Sequence, residues 1–79
     1  MGERIEVRVE CYAGHRAAQE PRAVHLDDGR HLVAGIADRW YDPDGDTFRV
    51  RTTSGLRLLL QYDRREDCWW LLQREALDA

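Results

Sequence analysis

Apolar and polar residues alternate with a period of two along most of the chain. In residues 4–12 the apolar side chains Ile5, Val7, Val9 and Cys11 fall on one face, and charged residues fall on the other. Such alternation is typical of a half-buried β-strand. Further strands are predicted at residues 22–26, 30–40 and 47–52, and on either side of a loop at 63–67. The pattern therefore predicts six short strands and almost no helix.

Glycine-containing turns separate several of these strands. Asp27-Asp28-Gly29 predicts a tight hairpin turn, and Thr53-Ser54-Gly55 predicts a three-residue loop that ends in a glycine bulge. Gly35 interrupts the alternation of the longest strand, which predicts a β-bulge there. The acidic string Asp42–Asp46 has its glycine at the fourth position, whereas a calcium loop needs one at the sixth. It is therefore interpreted as a β-turn.

The lengths of the last two loops set a register for the last three strands. The 53–55 loop places Val50 opposite Leu58, and Phe48 opposite Leu60 in turn. A five-residue loop at 63–67 places Tyr62 opposite Cys68, so that Leu60 faces Trp70. Together these pairings predict one buried surface made of Phe48, Val50, Leu58, Leu60, Trp70 and Leu72. Val7 and Val9 are predicted to be buried with it.

The length of 79 residues allows a single domain, residues 1–79, with one small core. Six short antiparallel strands in such a chain predict an all-β fold, a small SH3-like or OB-like barrel. Residues 13–21 are expected to form a connection. Residues 74–79 are expected to form a short C-terminal helical turn that either caps one barrel end or frays.

Composition limits the expected cellular location of the protein and the type of partner that it binds. Every basic residue is arginine, and the net charge of −3 makes the chain a poor non-specific nucleic-acid binder, although local arginine clusters remain. The charged, alternating N-terminus is unlike a signal peptide, and no run approaches the length of a membrane span. We therefore expect a cytoplasmic protein without a membrane partner, in which Cys11 and Cys68 stay reduced.

No motif predicts catalysis, a cofactor or a metal. Ser54 is the only serine and lies in a tight turn rather than at a nucleophile elbow. Cys11 and His15 have a C-x₃-H spacing, and Cys68 could approach them across the sheet, but the spacing is not that of a zinc finger. We expect no enzyme, no cofactor and no bound metal. A metal-dependent switch that uses Cys11 and His15 is a third, weaker hypothesis.

Binding is the remaining class of function. The register that buries Trp70 turns Leu59, Trp69 and Leu71 outward, which leaves an unusual apolar cluster. The tail or the 13–21 connection could cover this cluster, it could bind a protein partner or a second copy, or it could stack single-stranded nucleic-acid bases. In the last case a basic stripe on the same face would contact the strand, formed by Arg49, Arg51 and Arg57. Alternatively Glu6 and Glu10 balance these charges on a solvated face.

Several short strings along most of the chain resemble a family of short bacterial cytoplasmic proteins, known only as a domain of unknown function. These strings are Val9–Gly14, Pro21-Arg22, Gly29-Arg30, Asp38-Arg39-Trp40, Phe48-Arg49-Val50-Arg51, Tyr62-Asp63 and Trp69-Trp70. A similar segment occurs at the C-terminus of some bacterial proteins related to Y-family, lesion-bypass DNA polymerases. The resemblance transfers no catalytic or binding residues. The sequence thus predicts a non-enzymatic interaction module that binds a protein or itself, with a nucleic-acid-associated accessory to DNA repair as the alternative.

Overall fold

The computed structural model describes residues 4–11 and 20–77, which form six antiparallel strands. These strands close into a barrel in chain order, so that each strand lies beside its neighbours in sequence and the first pairs with the last. The strands are β1 (Ile5–Cys11), β2 (Pro21–Leu26), β3 (Gly29–Asp42), β4 (Gly45–Thr52), β5 (Leu56–Asp63) and β6 (Cys68–Ala76). The prediction of a small all-β barrel is confirmed. Within the described ranges there is no helix long and apolar enough to span a membrane.

The prediction of a C-terminal helical turn is wrong for the part of the tail that the structure describes. β6 continues to Ala76, which lies opposite Leu56 of β5. The N–H of Leu77 then donates to the Gly55 carbonyl at 2.8 Å. Pairing with β5 thus holds this segment extended, although its residues favour a helix in isolation. Most of the predicted 13–21 connection lies outside the described residues.

Two strands turn the corners of the barrel by pairing on both sides. The first part of β1, Ile5–Val7, pairs with β6, and residues 8–11 pair with β2. In β3, residues 29–32 pair with β2 and residues 33–42 pair with β4. The register of β3 against β4 shifts between Val33 and Gly35 and again between Ile36 and Asp38. The predicted bulge at Gly35 is therefore confirmed, and bulges of this kind bend a strand from one sheet into the next.

The predicted register between β4 and β5 is also confirmed. Val50 lies opposite Leu58 and Phe48 lies opposite Leu60. Gly55 closes the intervening turn with a φ of 88°, and its N–H donates to the Thr52 carbonyl at 3.2 Å. A residue without a Cβ adopts this left-handed conformation at little cost, which is why the glycine marks the turn so clearly.

The predicted register between β5 and β6 is wrong by one residue. Asp63, assigned to the loop, is the last residue of β5 and lies opposite Cys68, so Tyr62 pairs with Trp69. The Asp63 carboxylate accepts the N–H groups of Arg65 and Glu66 at 2.9 and 3.1 Å, which shortens the turn to four residues. A one-residue slip exchanges the two faces of a strand.

The core therefore contains the other tryptophan of the pair. Trp69 and Leu71 are only 6% and 7% exposed. They pack with Val24, Phe48, Val50, Leu58 and Leu60, while Val7 and Val9 contribute from the edge of this cluster. Trp70 and Leu72, predicted to be buried, are only half-buried. The predictions for Phe48, Val50, Leu58 and Leu60 are confirmed, and those for Trp70 and Leu72 are wrong.

Candidate interaction surface

The outer face of the sheet formed by β3 to β6 presents its side chains in cross-strand rows. One row crosses five strands and ends in β1; it consists of Trp40, Thr47, Gln61, Trp70 and Glu6. The next row is Asp38, Arg49, Leu59 and Gln73, and the third is Gly35, Arg51, Arg57 and Glu75. We call these three rows the outer face. Residues directly opposite each other in antiparallel strands lie on the same side of a sheet, so all of them point away from the core.

Only part of the predicted binding cluster lies on the outer face. Trp69 and Leu71 are in the core, so the contiguous patch that they were predicted to form with Leu59 does not exist. Leu59 does point outward and is half-buried. The three arginines Arg49, Arg51 and Arg57 all lie on the outer face, as the β4–β5 register predicts.

Two tryptophans occupy the same row of the outer face, separated by two intervening strands. They are three strand spacings apart along the row, which follows the curved surface of the barrel. Trp40 is 43% exposed, and the Arg49 guanidinium lies 5.3 Å from the centroid of its ring. Trp70 is half-buried beneath the Arg4 guanidinium, which lies 4.2 Å from its centroid. Each indole is thus paired with an arginine, an arrangement stabilised by cation–π attraction.

The indole N–H of Trp70 is buried and has no hydrogen-bond partner among the described residues. The Asp63 carboxylate is close enough for the indole to help lower its pKa, but it lies outside hydrogen-bonding geometry. The main cause of the lowered Asp63 pKa is the backbone N–H of Glu66, followed by that of Arg65. Buried tryptophan N–H groups usually find an acceptor, so Trp70 is poorly satisfied in the isolated chain.

Acidic side chains neutralise two of the three arginines. Arg49 donates to Asp38 at 2.9 Å, and Arg57 donates to Glu75 at 3.1 Å. The acids predicted to do this, Glu6 and Glu10, do not supply these pairs. Arg51 lies directly opposite Arg57 and forms no ion pair among the described residues. Like charges directly opposite each other destabilise a sheet, so this pair of arginines favours an anionic group above it.

Glu10 instead pairs with side chains of β2 and β3, at a different part of the barrel. Its carboxylate accepts from Arg30 at 2.6 and 2.9 Å and lies 2.7 Å from His25 Nε2. The hydrogen bond from Arg30, followed by that from His25, lowers the pKa of Glu10 from 4.5 to about 2. The two histidines of this region do not face each other, because His25 lies opposite Arg30 and His31 opposite Val24.

The outer face contains a shallow depression where the ladder between β5 and β6 is interrupted. Leu72 is an extra residue between the Leu60–Leu71 and Leu59–Gln73 pairs. The depression has a volume of about 290 Å³, and Arg49, Arg57, Leu59, Gln73 and Glu75 are among its lining residues. Its lining is mainly polar, and the Arg57–Glu75 ion pair lies within it.

A second concavity lies at the other edge of β6. It is an apolar groove of about 430 Å³, lined mainly by Ile5, Val7, Leu26, Leu71 and Leu72. Ile5 is 59% exposed at its mouth. Glu6 and Gln73 of the outer face also line this groove, but none of the outer-face arginines does.

The cysteines form no disulfide, and burial raises the pKa of both the Cys11 and the Cys68 thiols. Thiols of this kind are weak nucleophiles and weak metal ligands at neutral pH. His15, the other half of the predicted C-x₃-H pair, lies outside the described residues. Residues 4–11 and 20–77 contain no group of three or more histidine, cysteine or acidic side chains that could hold a metal ion.

Trp40 is the main surface residue that the sequence pattern did not predict. The strand that contains it has two register shifts, and each shift resets the alternation of faces. Its neighbours Asp38 and Arg49 would have indicated its orientation once the β3–β4 pairing was known.

No protein-family model, curated protein or solved structure matches this chain. The family resemblance drawn from short sequence strings therefore stays a prediction.

Proposed function

We propose that this protein is an interaction module that binds an extended, acidic protein segment on the outer face. The observation that carries the proposal is the row from Trp40 to Trp70 together with the opposed pair Arg51 and Arg57, two rows away on the same face. Tryptophan and arginine are the residues most enriched among interface hot spots. The surface therefore contains residue types that often provide binding energy at interfaces.

The charge arrangement favours an acidic partner over a second copy of the chain. In a symmetric dimer formed through the centre of this face, Arg51 and Arg57 would meet the same two arginines of the other copy. Like charges brought together in an interface cost several kcal/mol. An acidic segment would neutralise them, and its carboxylates could also replace the exposed Asp38 and Glu75. Exposed ion pairs contribute only about 0–1 kcal/mol, so this exchange costs little.

Single-stranded nucleic acid is a second candidate, favoured by the two indoles in one row. Bases stack on aromatic side chains of small barrels while arginines contact the phosphates. It is also the function that the resemblance to polymerase-related proteins implies. The net charge of −3 and the neutralisation of Arg49 and Arg57 by acids weaken the attraction for any polyanion, and they weaken nucleic-acid binding most because it relies on charge more than a protein segment does. Affinity for nucleic acid depends mainly on uncompensated positive charge.

A titration followed by nuclear magnetic resonance tests the proposal. A strand-length synthetic peptide that alternates glutamate and leucine is added to ¹⁵N-labelled protein. We expect shifts at outer-face positions of β4 and β5, and weaker binding in Arg51→Glu. An oligothymidine added in the same way gives smaller shifts if the protein segment is the partner. Stronger shifts with oligothymidine would favour the second candidate, and sedimentation as a dimer without ligand would favour self-association.

A further inference from the structure

A second cluster of chemically active side chains lies at the β4–β5 turn, next to the Arg51–Arg57 pair of the outer face. His31 Nδ1 lies 2.6 Å from Ser54 Oγ, and His31 Nε2 lies 2.8 Å from Asp28 Oδ1. Asp28 belongs to the β2–β3 turn, His31 to the start of β3 and Ser54 to the β4–β5 turn. The pairing of β3 with β4 thus brings Ser54 beside a histidine and an aspartate that are only three residues apart in the β2–β3 hairpin. The His31 side chain is only 11% exposed, which restricts the imidazole to this orientation.

The chemistry of each partner determines which atom donates. An ionised carboxylate can only accept, and the hydrogen bond from His31 lowers the pKa of Asp28, so Asp28 is ionised at neutral pH. His31 Nε2 therefore carries the proton that Asp28 accepts. In a neutral imidazole the other nitrogen is then an acceptor. In the neutral form of His31, Nδ1 therefore accepts the proton of the Ser54 hydroxyl.

Thr52 completes the network on the other side of the serine. Its hydroxyl is buried, accepts the N–H of Leu56 at 3.0 Å and lies 2.8 Å from Ser54 Oγ. Because Ser54 donates to His31, Thr52 donates to Ser54. The serine oxygen is therefore held between a donor and a base, with its own proton directed at the base.

We propose that Ser54 is an activated nucleophile that accepts the acyl group of small esters, with His31 as its base and Asp28 as a positioning residue. A hydroxyl that is hydrogen-bonded to an imidazole, whose other nitrogen is oriented by a carboxylate, is the arrangement that activates serine in acyl transfer. Ser54 is an exposed residue of the β4–β5 turn. This reactivity goes beyond the proposed binding function and is independent of it. It also departs from the expectation, drawn from the sequence, that the chain is not an enzyme.

The reaction balances with an ester and water alone. Ser54 Oγ attacks the ester carbonyl carbon while its proton passes to His31 Nδ1. The tetrahedral intermediate expels the alcohol, which takes that proton from His31, and Ser54 is left as an acyl ester. Water then attacks the acyl carbon and gives its proton to His31. Collapse of the second intermediate releases the carboxylic acid and returns the proton to Ser54.

The turn also offers a donor for the oxyanion. The N–H groups of Thr53 and Gly55 are used by the carbonyls of Leu32 and Thr52. The N–H of Ser54 has no acceptor among the described residues, so it remains available to a ligand. The N–H of the nucleophilic residue is itself a common oxyanion donor.

Covalent labelling with a fluorophosphonate probe tests the proposal, with mass spectrometry to locate the modified residue. We expect labelling at Ser54 and none at Thr53, an exposed hydroxyl in the same turn that serves as an internal control. His31→Gln should slow labelling about 10²-fold, the contribution typical of a general base. Hydrolysis of p-nitrophenyl acetate should show a burst that is absent in Ser54→Ala.

Two further measurements separate reactivity from a merely structural network. The labelling rate of the wild-type protein should rise with pH through one ionisation and then level off. A solvated hydroxyl would show no such plateau. Asp28→Asn should change this profile, and Asp28→Glu should restore it. If Ser54 in the folded wild-type protein is labelled no faster than Thr53, the cluster only joins the turns and the proposal is wrong.

Discussion

Tyr62 lies opposite Trp69 across β5 and β6, with their ring centroids 5.2 Å apart. Trp69 also contacts Phe48, at a centroid distance of 5.6 Å, so the three rings form an aromatic cluster inside the barrel. Because adjacent strand residues point to opposite faces, this pairing turns Trp70 outward into the row with Trp40. The position of one tryptophan thus determines both the composition of the core and that of the outer face.

The two adjacent tryptophans should differ sharply in their contribution to stability. Trp69→Ala removes a buried indole from the aromatic cluster and should lower the free energy of unfolding by about 3–5 kcal/mol. Trp70→Ala removes a half-buried side chain and should cost about 1 kcal/mol. Urea denaturation of the two variants measures both values. A larger loss for Trp70→Ala would contradict the register.

Trp70→Phe offers a finer test of the same position. It keeps an aromatic ring beneath Arg4 but removes the indole N–H that is buried without an acceptor. Removing an unsatisfied buried donor relieves its desolvation cost, so the substitution should leave the free energy of unfolding unchanged or slightly increased. Thermal unfolding of Trp70→Phe, with Trp69→Phe as the matched control, should show a loss only in the control.

Gly45 should tolerate no side chain. A Cβ at this position would collide with the backbone carbonyl of Tyr62 on the neighbouring strand. Gly45→Ala should therefore destabilise the fold by about 1–3 kcal/mol, as overpacking does. Gly35→Ala is the control, because its Cβ would meet only the mobile end of Arg51 at 3.3 Å. Equal losses in the two variants would show that the close approach of β4 to β5 is not as described.

Stability at acid pH should depend on Glu10. The folded-state pKa of about 2 lies below the ordinary value of 4.5, so Glu10 binds protons more weakly in the folded chain. Its stabilising contribution should be complete above pH 4.5 and should disappear as the pH falls towards 2. Melting temperatures of the wild-type protein and Glu10→Gln should thus differ at neutral pH and converge near pH 2. A difference that persists at pH 2 would contradict this origin.

The sequence predicts those parts of the fold that glycines mark. Gly55 identifies the β4–β5 turn and Gly35 the bulge in β3, since both positions differ visibly from the strand pattern. The β5–β6 turn has no glycine, and Asp67 adopts its left-handed φ of 54° instead. Aspartate tolerates this conformation without requiring it, so four- and five-residue turns were equally consistent with the sequence. The bulge at Leu72 likewise has no local signal.

The candidate sites depend on contacts that only the closed barrel creates. The arginines of β4 and β5 could be assigned to one face because a single well-marked turn joins their strands. Trp40 joins them only through a strand with two bulges. The Ser54–His31 contact connects residues that are 23 positions apart, and no spacing motif predicts it.

A substitution at Trp40 should weaken binding much more than it lowers stability. Trp40→Ser removes a partly exposed ring that contacts Arg49 and should lower the free energy of unfolding by about 1 kcal/mol. The same substitution should weaken binding of the glutamate–leucine peptide. Tyr41→Ser is the matched control, since Tyr41 is 60% exposed but lies on the opposite side of the strand. Isothermal titration of both variants checks this, and an equal loss in Tyr41→Ser would contradict a role for the outer face.

The indole N–H resonances of the three tryptophans test the central claim in a single spectrum. Trp69 lies in the core, whereas Trp40 and Trp70 share a row on the outer face. As the acidic peptide is added to ¹⁵N-labelled protein, the resonances of Trp40 and Trp70 should move together while that of Trp69 stays in place. Movement of Trp69 alone, or no movement of any indole at millimolar peptide, would contradict the assignment of the outer face as the binding surface.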